Sequence, residues 1–436
     1  SLKNAQAQIE TPWGVFNAAA NGSGLLRNRF TANLSVRSLG IAVADCSASA
    51  LKFDGKLMLE WRQPHLVGPI TAAAAKCADA GIEIAAPRLD ADIKLSERFN
   101  GWEGTLGYAA ANLGIPTAQM RDVAGKLTVD GDLKRTNFAL LLDKAALRSA
   151  PLSVGRLQMD SQGYAGLANG RLALSVSGNA ALANGALDRG TVGDLRGLVA
   201  QTQATPIGPI VARMAPVLQR AGDRFAARLD FESFQDFQGR LGGNISALSL
   251  TSASGVRLRQ IGSFGISGTP KGWQLNAPAQ LTLSGTNLPD SRLSIAQTGQ
   301  SWSGNLVIAP YSAGNARLAV SNLAFNGNPS GAWRFQGQAK MSGPLPGGFV
   351  TGLNLPIAGR YNAGAVSLYD NCQNVRFDSL KMSSLALRGN VFRLCPDRGR
   401  SMFSIANGKA AFATNIADFR ASGNLGRTPI SGRSAT

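Results

Sequence analysis

The stretch Arg171-Leu172-Ala173-Leu174-Ser175-Val176-Ser177 alternates large aliphatic side chains with small or polar ones. In an extended chain successive side chains point to opposite faces, so Leu172, Leu174 and Val176 share one face. The same rhythm returns in Gln280-Leu281-Thr282-Leu283-Ser284 and in Asn315-Ala316-Arg317-Leu318-Ala319-Val320-Ser321, and again at Leu248 and Leu250. It dominates from about residue 120 onward. Turn-forming residues punctuate the runs: Asn169-Gly170, Gly178-Asn179, Asn184-Gly185, Asn326-Gly327-Asn328-Pro329 and Gly343-Pro344. Strands at a spacing of roughly 8–12 residues are expected from such punctuation. The fold class predicted is mainly β: an elongated, curled antiparallel sheet forming a groove, with at least one short amphipathic helix.

Composition agrees with this reading. The chain has 436 residues, longer than a typical single domain. Hydrophobic residues make up 44%, too many for a disordered chain. Charged residues are 16%, against about 25% in an ordinary globular protein. The formal charge is nevertheless +18, carried by single, interspersed residues such as Arg257, Arg259, Arg292, Arg317 and Arg334. Nucleic-acid binding favours clustered Lys and Arg with stacking aromatics, a pattern missing here. A solvated basic face and attraction to anionic lipid headgroups both remain open.

The sequence excludes most catalytic schemes. A single histidine, His65, follows Pro64 in a turn-like context and is read as an ordinary loop residue. There is no GxGxxG, no phosphate-binding loop, no GxSxG and no CxxC pair. Asp130-Gly131-Asp132 reads as a hairpin turn rather than a metal cradle. No catalytic residue, metal or cofactor is expected.

One helix interrupts the strands. Thr205 is the expected cap and Pro206 the first helical residue. Ile207, Ile210, Val211, Met214, Val217 and Leu218 then mark one apolar face, with Pro216 expected to kink or break it. This helix, 205–221, is taken as the boundary between a β-segment at 1–204 and another at 222–436. No apolar run reaches the 18 residues of a membrane-spanning helix. The chain begins Ser1-Leu2-Lys3-Asn4, without Met or leader, and ends in a polar stretch, so a segment of a longer, anchored polypeptide is expected.

The cysteines show the sharpest pattern. Asp45-Cys46 precedes Lys52-Phe53-Asp54, and Asp370-Asn371-Cys372 precedes Arg376-Phe377-Asp378. The later members open Cys77-Ala78-Asp79-Ala80-Gly81 and Cys395-Pro396-Asp397-Arg398-Gly399. A duplicated hairpin unit explains both contexts and predicts disulfides Cys46–Cys77 and Cys372–Cys395, hence an oxidising compartment. Free buried thiols are the alternative; a four-cysteine zinc site lacks its knuckles.

A weak repeat accompanies the strands, a small residue next to Trp expected just before a short strand: Gly101-Trp102, Gly272-Trp273, Ser301-Trp302 and Ala332-Trp333. Together with Thr205-Pro206-Ile207-Gly208-Pro209-Ile210-Val211 and the Cys-x5-Lys-Phe-Asp and Cys-x3-Arg-Phe-Asp elements, this resembles the YdbH branch of the AsmA-like envelope proteins, which include TamB. The resemblance implies a periplasmic, inner-membrane-anchored protein whose β-groove carries phospholipid between the membranes, with no catalytic motif. Expected partners are phospholipids and the membranes or envelope proteins at either end; nucleic acid is not expected.

The residues point the same way, since the apolar face of an alternating sheet must be covered by something. Candidate groove-lining residues are Leu172, Leu174, Val176, Leu248, Leu250, Leu281, Leu283, Leu318 and Val320. The alternative is a structural or adhesive β-solenoid whose apolar face is filled by its own side chains.

Overall fold

The computed structural model describes residues 1–25, 28–132, 134–168, 171–188, 197, 199–200, 202–269, 272–275, 279–328, 331–362, 364–397, 400–406 and 409–434. The protein is mainly β, with antiparallel pairing throughout the described ladders and one long described helix. It divides into two compact units. The first comprises Ser1–Asp188, Phe225–Ser246 and Ser267–Gly272; the second comprises Arg189–Arg224, Ala247–Ile266 and Trp273–Thr436.

The first unit is a meander. β1 (Leu2–Thr11) pairs with β2 (Gly14–Leu25), β2 with β3 (Asn28–Val43), and β3 with β4 (Cys46–Glu60). A two-residue loop, Trp61-Arg62, follows β4 with φ of 51° and 65°. Positive φ at both positions matches the right-handed twist of the strands it joins. The next two passes are each split. β5 (Gln63–Thr71) and β6 (Ala74–Cys77) both pair with β4, while β7 (Ile82–Ala85) and β8 (Arg88–Leu95) both pair with β9 (Gly101–Ile115). β10 (Ala118–Asp132), β11 (Arg135–Ser149), β12 (Leu152–Ala168), β13 (Arg171–Leu187) and β14 (Phe225–Gln235) follow in order.

A line of irregular backbone crosses this meander. Between flanking registers that stay matched, it passes through Leu39, Ala50, Ala73, Ala86, Ala111 and Asp122, all exposed. Ala50, Ala86 and Asp122 have φ of 52°, 47° and 53°, and Asn184 in β13 has 54°. On each strand the inward set steps by three residues here instead of two. Cys46 and Ala48 give way to Leu51 and Phe53 on β4, and Ala118 and Met120 to Val123 and Gly125 on β10. The extra residue bends each strand as a bulge does, while keeping apolar side chains on the inner face both before and after it. Repeated in neighbouring strands, the bulge becomes a crease that curls the sheet.

In the second unit the pairing runs β15 (Leu241–Ser252, its second half), β16 (Arg257–Ile261), β19 (Ala279–Ser284), β20 (Ser291–Thr298), β21 (Ser301–Ala313), β22 (Ala316–Gly327), β23 (Ala332–Leu345) and β24 (Gly348–Asn362). Two short strands, β17 (Phe264–Thr269) and β18 (Gly272–Leu275), intervene in sequence. Beyond β24 the ladder forks. The end of β24 pairs with β25 (Ala365–Leu368), which leads to β28 (Phe403–Ala406) and β29 (Lys409–Phe412). Its start pairs with β26 (Gln373–Met382), which leads to β27 (Leu385–Pro396), β30 (Thr414–Leu425) and β31 (Thr428–Ser434).

The helix α1 (Gly208–Asp223) packs its apolar face on the second unit's own strands. Ile210, only 1% exposed, meets Ala313 and Ala316, with Tyr311 and Leu318 beside them. Val217 meets Val256 and Leu288, with Leu283 packed against them.

Several sequence expectations are corrected. The helix begins at Gly208 with Ile207 at its N-cap, so Thr205 does not cap it. The Thr205 hydroxyl donates to the Thr202 carbonyl instead, at 2.7 Å. The helix also continues through Pro216, because tertiary packing on both sides holds its turns. Gly178-Asn179 and Asn184-Gly185 lie inside the 17-residue β13, and Gly343-Pro344 lies inside β23. In each case a ladder partner overrides a local turn preference. Gly131 and Asp132 are both strand residues; Asp132 ends β10, and its Oδ1 accepts the backbone N–H groups of Lys134 and Arg135. Asn169-Gly170 and Pro329 lie outside the described residues. All four repeat tryptophans fall at the second position of a strand, in β9, β18, β21 and β23.

Candidate functional site

An open cavity lies on the first unit, beside the crease. Its volume is about 860 Å³, within the usual range of ligand pockets, about 300–1,000 Å³. Strand register explains its wall. Ile41 stands opposite Ala48, Ala48 opposite Ala75, Ala75 opposite Ile84, Ile84 opposite Leu113, and Leu113 opposite Met120. Directly opposed residues of antiparallel strands point to the same face. Six neighbouring passes therefore contribute one apolar row across the floor. Its members are half-buried, and two of them are alanines that leave room above the sheet.

A second apolar cavity of about 180 Å³ adjoins the first, sharing Ile41, Ala48, Ala75 and Ile84 and adding Val43, Ile82 and the Cys46–Cys77 bridge. Leu113 and Met120 at the far side pack on the buried cluster of Val123, Leu142 and Ala145, which anchors that wall. The site offers apolar surface to a ligand. Among the described residues no group of three or more His, Cys, Asp or Glu side chains stands ready to hold a metal ion.

Both disulfides form as predicted, and no free cysteine is found among the described residues. Each joins residues at the open end of a hairpin. Cys46 and Cys77 are direct partners, with Cα atoms 3.9 Å apart. The Ala78 N–H donates to the Asp45 carbonyl next to them, so the cysteines occupy a non-hydrogen-bonded site, where side chains approach most closely. Cys372 and Cys395 close the hairpin of β26 and β27 in the same way, with Cα atoms 4.0 Å apart. The duplicated sequence context therefore corresponds to duplicated structure.

His65 is not a loop residue. It lies in β5, 2.6 Å by its Nε2 from Asp92 Oδ1 on β8. Two further ion pairs cross strands, Arg37 with Asp54 at 2.7 Å and Lys94 with Glu103 at 3.9 Å, while Arg88 and Asp90 pair along β8 at 2.7 Å. The Arg37 guanidinium, bonded to both Asp54 oxygens, holds that carboxyl below the usual range.

The groove residues chosen from sequence are distributed over both units. On β13, Leu174 and Val176 are half-buried opposite Ala165 and Gly163, whereas Leu172 is 49% exposed opposite Leu167. In the second unit one cross-strand row brings together Leu250, Leu258, Leu283, Ser291, Ile308 and Val320. Leu281 heads the neighbouring row, opposite Leu293, and Leu248 is a half-buried residue of β15. Three of the nine are covered by protein. Leu283 and Leu318 pack with the α1 clusters, and Val320 is 5% exposed.

The cavity-lining residues Ile41, Ile84, Leu113 and Met120 were missed because the long alternating runs begin further along the chain. The signal present there is short: Ile82-Glu83-Ile84-Ala85-Ala86, five residues between Gly81 and Pro87.

Comparison with known proteins yields no relative: no family model, no curated protein and no solved structure matches the chain.

Proposed function

We propose that this chain is a non-enzymatic lipid-transfer segment of a bacterial envelope, shielding phospholipid acyl chains in an apolar β-lined trough between the inner and outer membranes. The observation that carries the reading is the row Ile41, Ala48, Ala75, Ile84, Leu113 and Met120, which floors an open cavity of about 860 Å³. An acyl chain laid along it leaves water at a gain of about 25 cal/mol per Å² of apolar area. The side chains of this row, aliphatic and small, make no directional demand on what slides over them, while Lys76, Glu83 and Arg121 line the cavity beside it. The disulfides are compatible with an oxidising compartment such as the periplasm. No described helix is long and apolar enough to cross a membrane. The family resemblance set out above points in the same direction.

The scaffold reading requires the apolar face to be filled by the protein. In the second unit α1 does cover Leu283 and Leu318. In the first unit the cavity floor is left open.

A photo-reactive amino acid at Ile84 or Met120, in protein purified from a Gram-negative envelope, tests the proposal. Phospholipid is expected in the crosslinked adduct from these positions and not from exposed Asp122 nearby. Equal yields at all three, or none, would overturn it.

A further inference from the structure

The positive charge is not evenly shared along the chain. Residues 1–250 hold 26 Lys and Arg against 21 Asp and Glu, whereas residues 251–436 hold 18 against 5. The fold then concentrates this surplus on one face of the second unit. Lys340 on β23 stands opposite Asn354 on β24, Asn354 opposite Arg376 on β26, Arg376 opposite Val391 on β27, Val391 opposite Arg420 on β30, and Arg420 opposite Arg433 on β31. Opposed residues share a face, so four cations lie in one row over six adjoining strands. At about 4.8 Å per strand the row spans about 24 Å. Arg388 and Arg393 flank it on β27, exposed like the four in the row.

Two features mark this face. Among the described residues, none of Lys340, Arg376, Arg388, Arg393, Arg420 and Arg433 makes an ion pair. In addition Arg420 and Arg433 are direct cross-strand partners, an arrangement of like charges that destabilises a sheet. Of the six, only Arg393 stands directly opposite a carboxylate, Asp418. A recess of about 390 Å³ opens on the same face, lined by Lys340, Arg376, Asn354, Gln338 and Ser321, with Asp378 as its one carboxylate. The rings nearest the middle of the row, Phe377 and Phe392, point the other way: Phe377 is buried and stacks on Phe392 at 5.3 Å between centroids. The row thus lacks the stacking rings that single-stranded nucleic acid uses.

We infer that this face docks on a bilayer surface carrying anionic phospholipid headgroups. Long, exposed cationic side chains distributed over a sheet meet phosphates at many points, and each contributes additively to adhesion. The inference stands apart from the acyl-chain reading, because it concerns the second unit alone.

Co-sedimentation of the full chain with vesicles tests it. Binding is expected to vesicles containing a quarter phosphatidylglycerol, to weaken more than tenfold on raising salt, and to be absent with pure phosphatidylcholine. Arg420→Gln and Arg433→Gln each relieve a like-charge contact, so each variant folds at least as stably as the parent while binding about fivefold more weakly. The triple variant with Arg376→Gln added falls about a hundredfold. Arg37→Gln with Arg88→Gln, in the first unit, leaves binding within twofold. Parent-like binding by the triple variant, an equal loss in the first-unit control, or tighter binding to an oligonucleotide than to vesicles at the same salt would overturn the assignment. Uptake of a fluorescent fatty acid without vesicles reports on the trough separately.

Discussion

Tyr108 and Gly125 face each other directly across β9 and β10, and the phenol ring covers the glycine so closely that a Cβ at position 125 would stand 2.5 Å from the hydroxyl oxygen. The hydroxyl donates to the Leu141 carbonyl at 3.0 Å, and burial pushes its pKa upward, helped by Asp143. The motif recurs. Phe138 stands opposite Gly163, Phe225 opposite Gly185 and Phe325 opposite Gly304. A ring lying on a glycine shields backbone that no side chain covers, and it keeps the inner face low where the sheet curls.

Gly125→Ala is therefore expected to destabilise the protein by about 1–3 kcal/mol through overpacking. Gly40→Ala, where the added carbon's nearest neighbour is the Ala48 carbonyl oxygen at 3.7 Å, is expected to change stability by less than about 0.5 kcal/mol. Urea midpoints of the two variants make the comparison.

Carboxylates placed at two apolar positions should separate packing from binding. Leu283 packs against Val217, Val256 and Leu288 under the helix, so Leu283→Asp is expected to cost about 2–4 kcal/mol in thermal unfolding. Ile84 lines the open cavity, where water reaches the new carboxylate. Ile84→Asp is expected to leave the melting transition within a few degrees of the parent and to abolish uptake of a fluorescent fatty acid.

The cystine bridges close loops with sequence separations of 31 and 23. Replacing either pair by serine is expected to cost about 3–4 kcal/mol on the chain-entropy account. Denaturant titration of each double variant checks this. The parent is expected to show no thiol reactive toward maleimide until it is reduced.

Asp132 gives a pH-dependent contribution with a definite sign. Two backbone N–H groups donate to its Oδ1, both at 2.8 Å, and they hold its pKa below the usual value. A carboxyl whose folded pKa is depressed stabilises the fold fully above the unfolded value, about 3.9, and loses that contribution as pH falls through the folded value. Asp132→Asn keeps an oxygen acceptor but does not titrate. Melting curves at pH 7 and pH 3 are expected to draw closer together in the variant than in the parent.

The β-character and the two disulfides were legible because each depends on a few adjacent residues. Alternation is a property of a heptapeptide such as Arg171–Ser177, and the paired cysteine contexts repeat in the sequence itself. Strand length was less legible. Gly178-Asn179 and Asn184-Gly185 carry real turn preferences, yet β13 runs through both because β12 supplies ladder partners along its length.

By itself, then, the order of residues determined that the chain would form amphipathic antiparallel strands stapled at two hairpin mouths, since period two and cysteine context are local. Only the tertiary structure decided which apolar residues are covered. The inward set changes phase by one residue at Ala50, Ala86 and Asp122, and a reader who extends the alternation across those points assigns the wrong face. Register between distant strands aligned Ile41 with Met120 beneath an open cavity, and packing of α1 closed over Leu283. Both outcomes come from pairings between segments far apart in the chain, where no short window of sequence contains both partners.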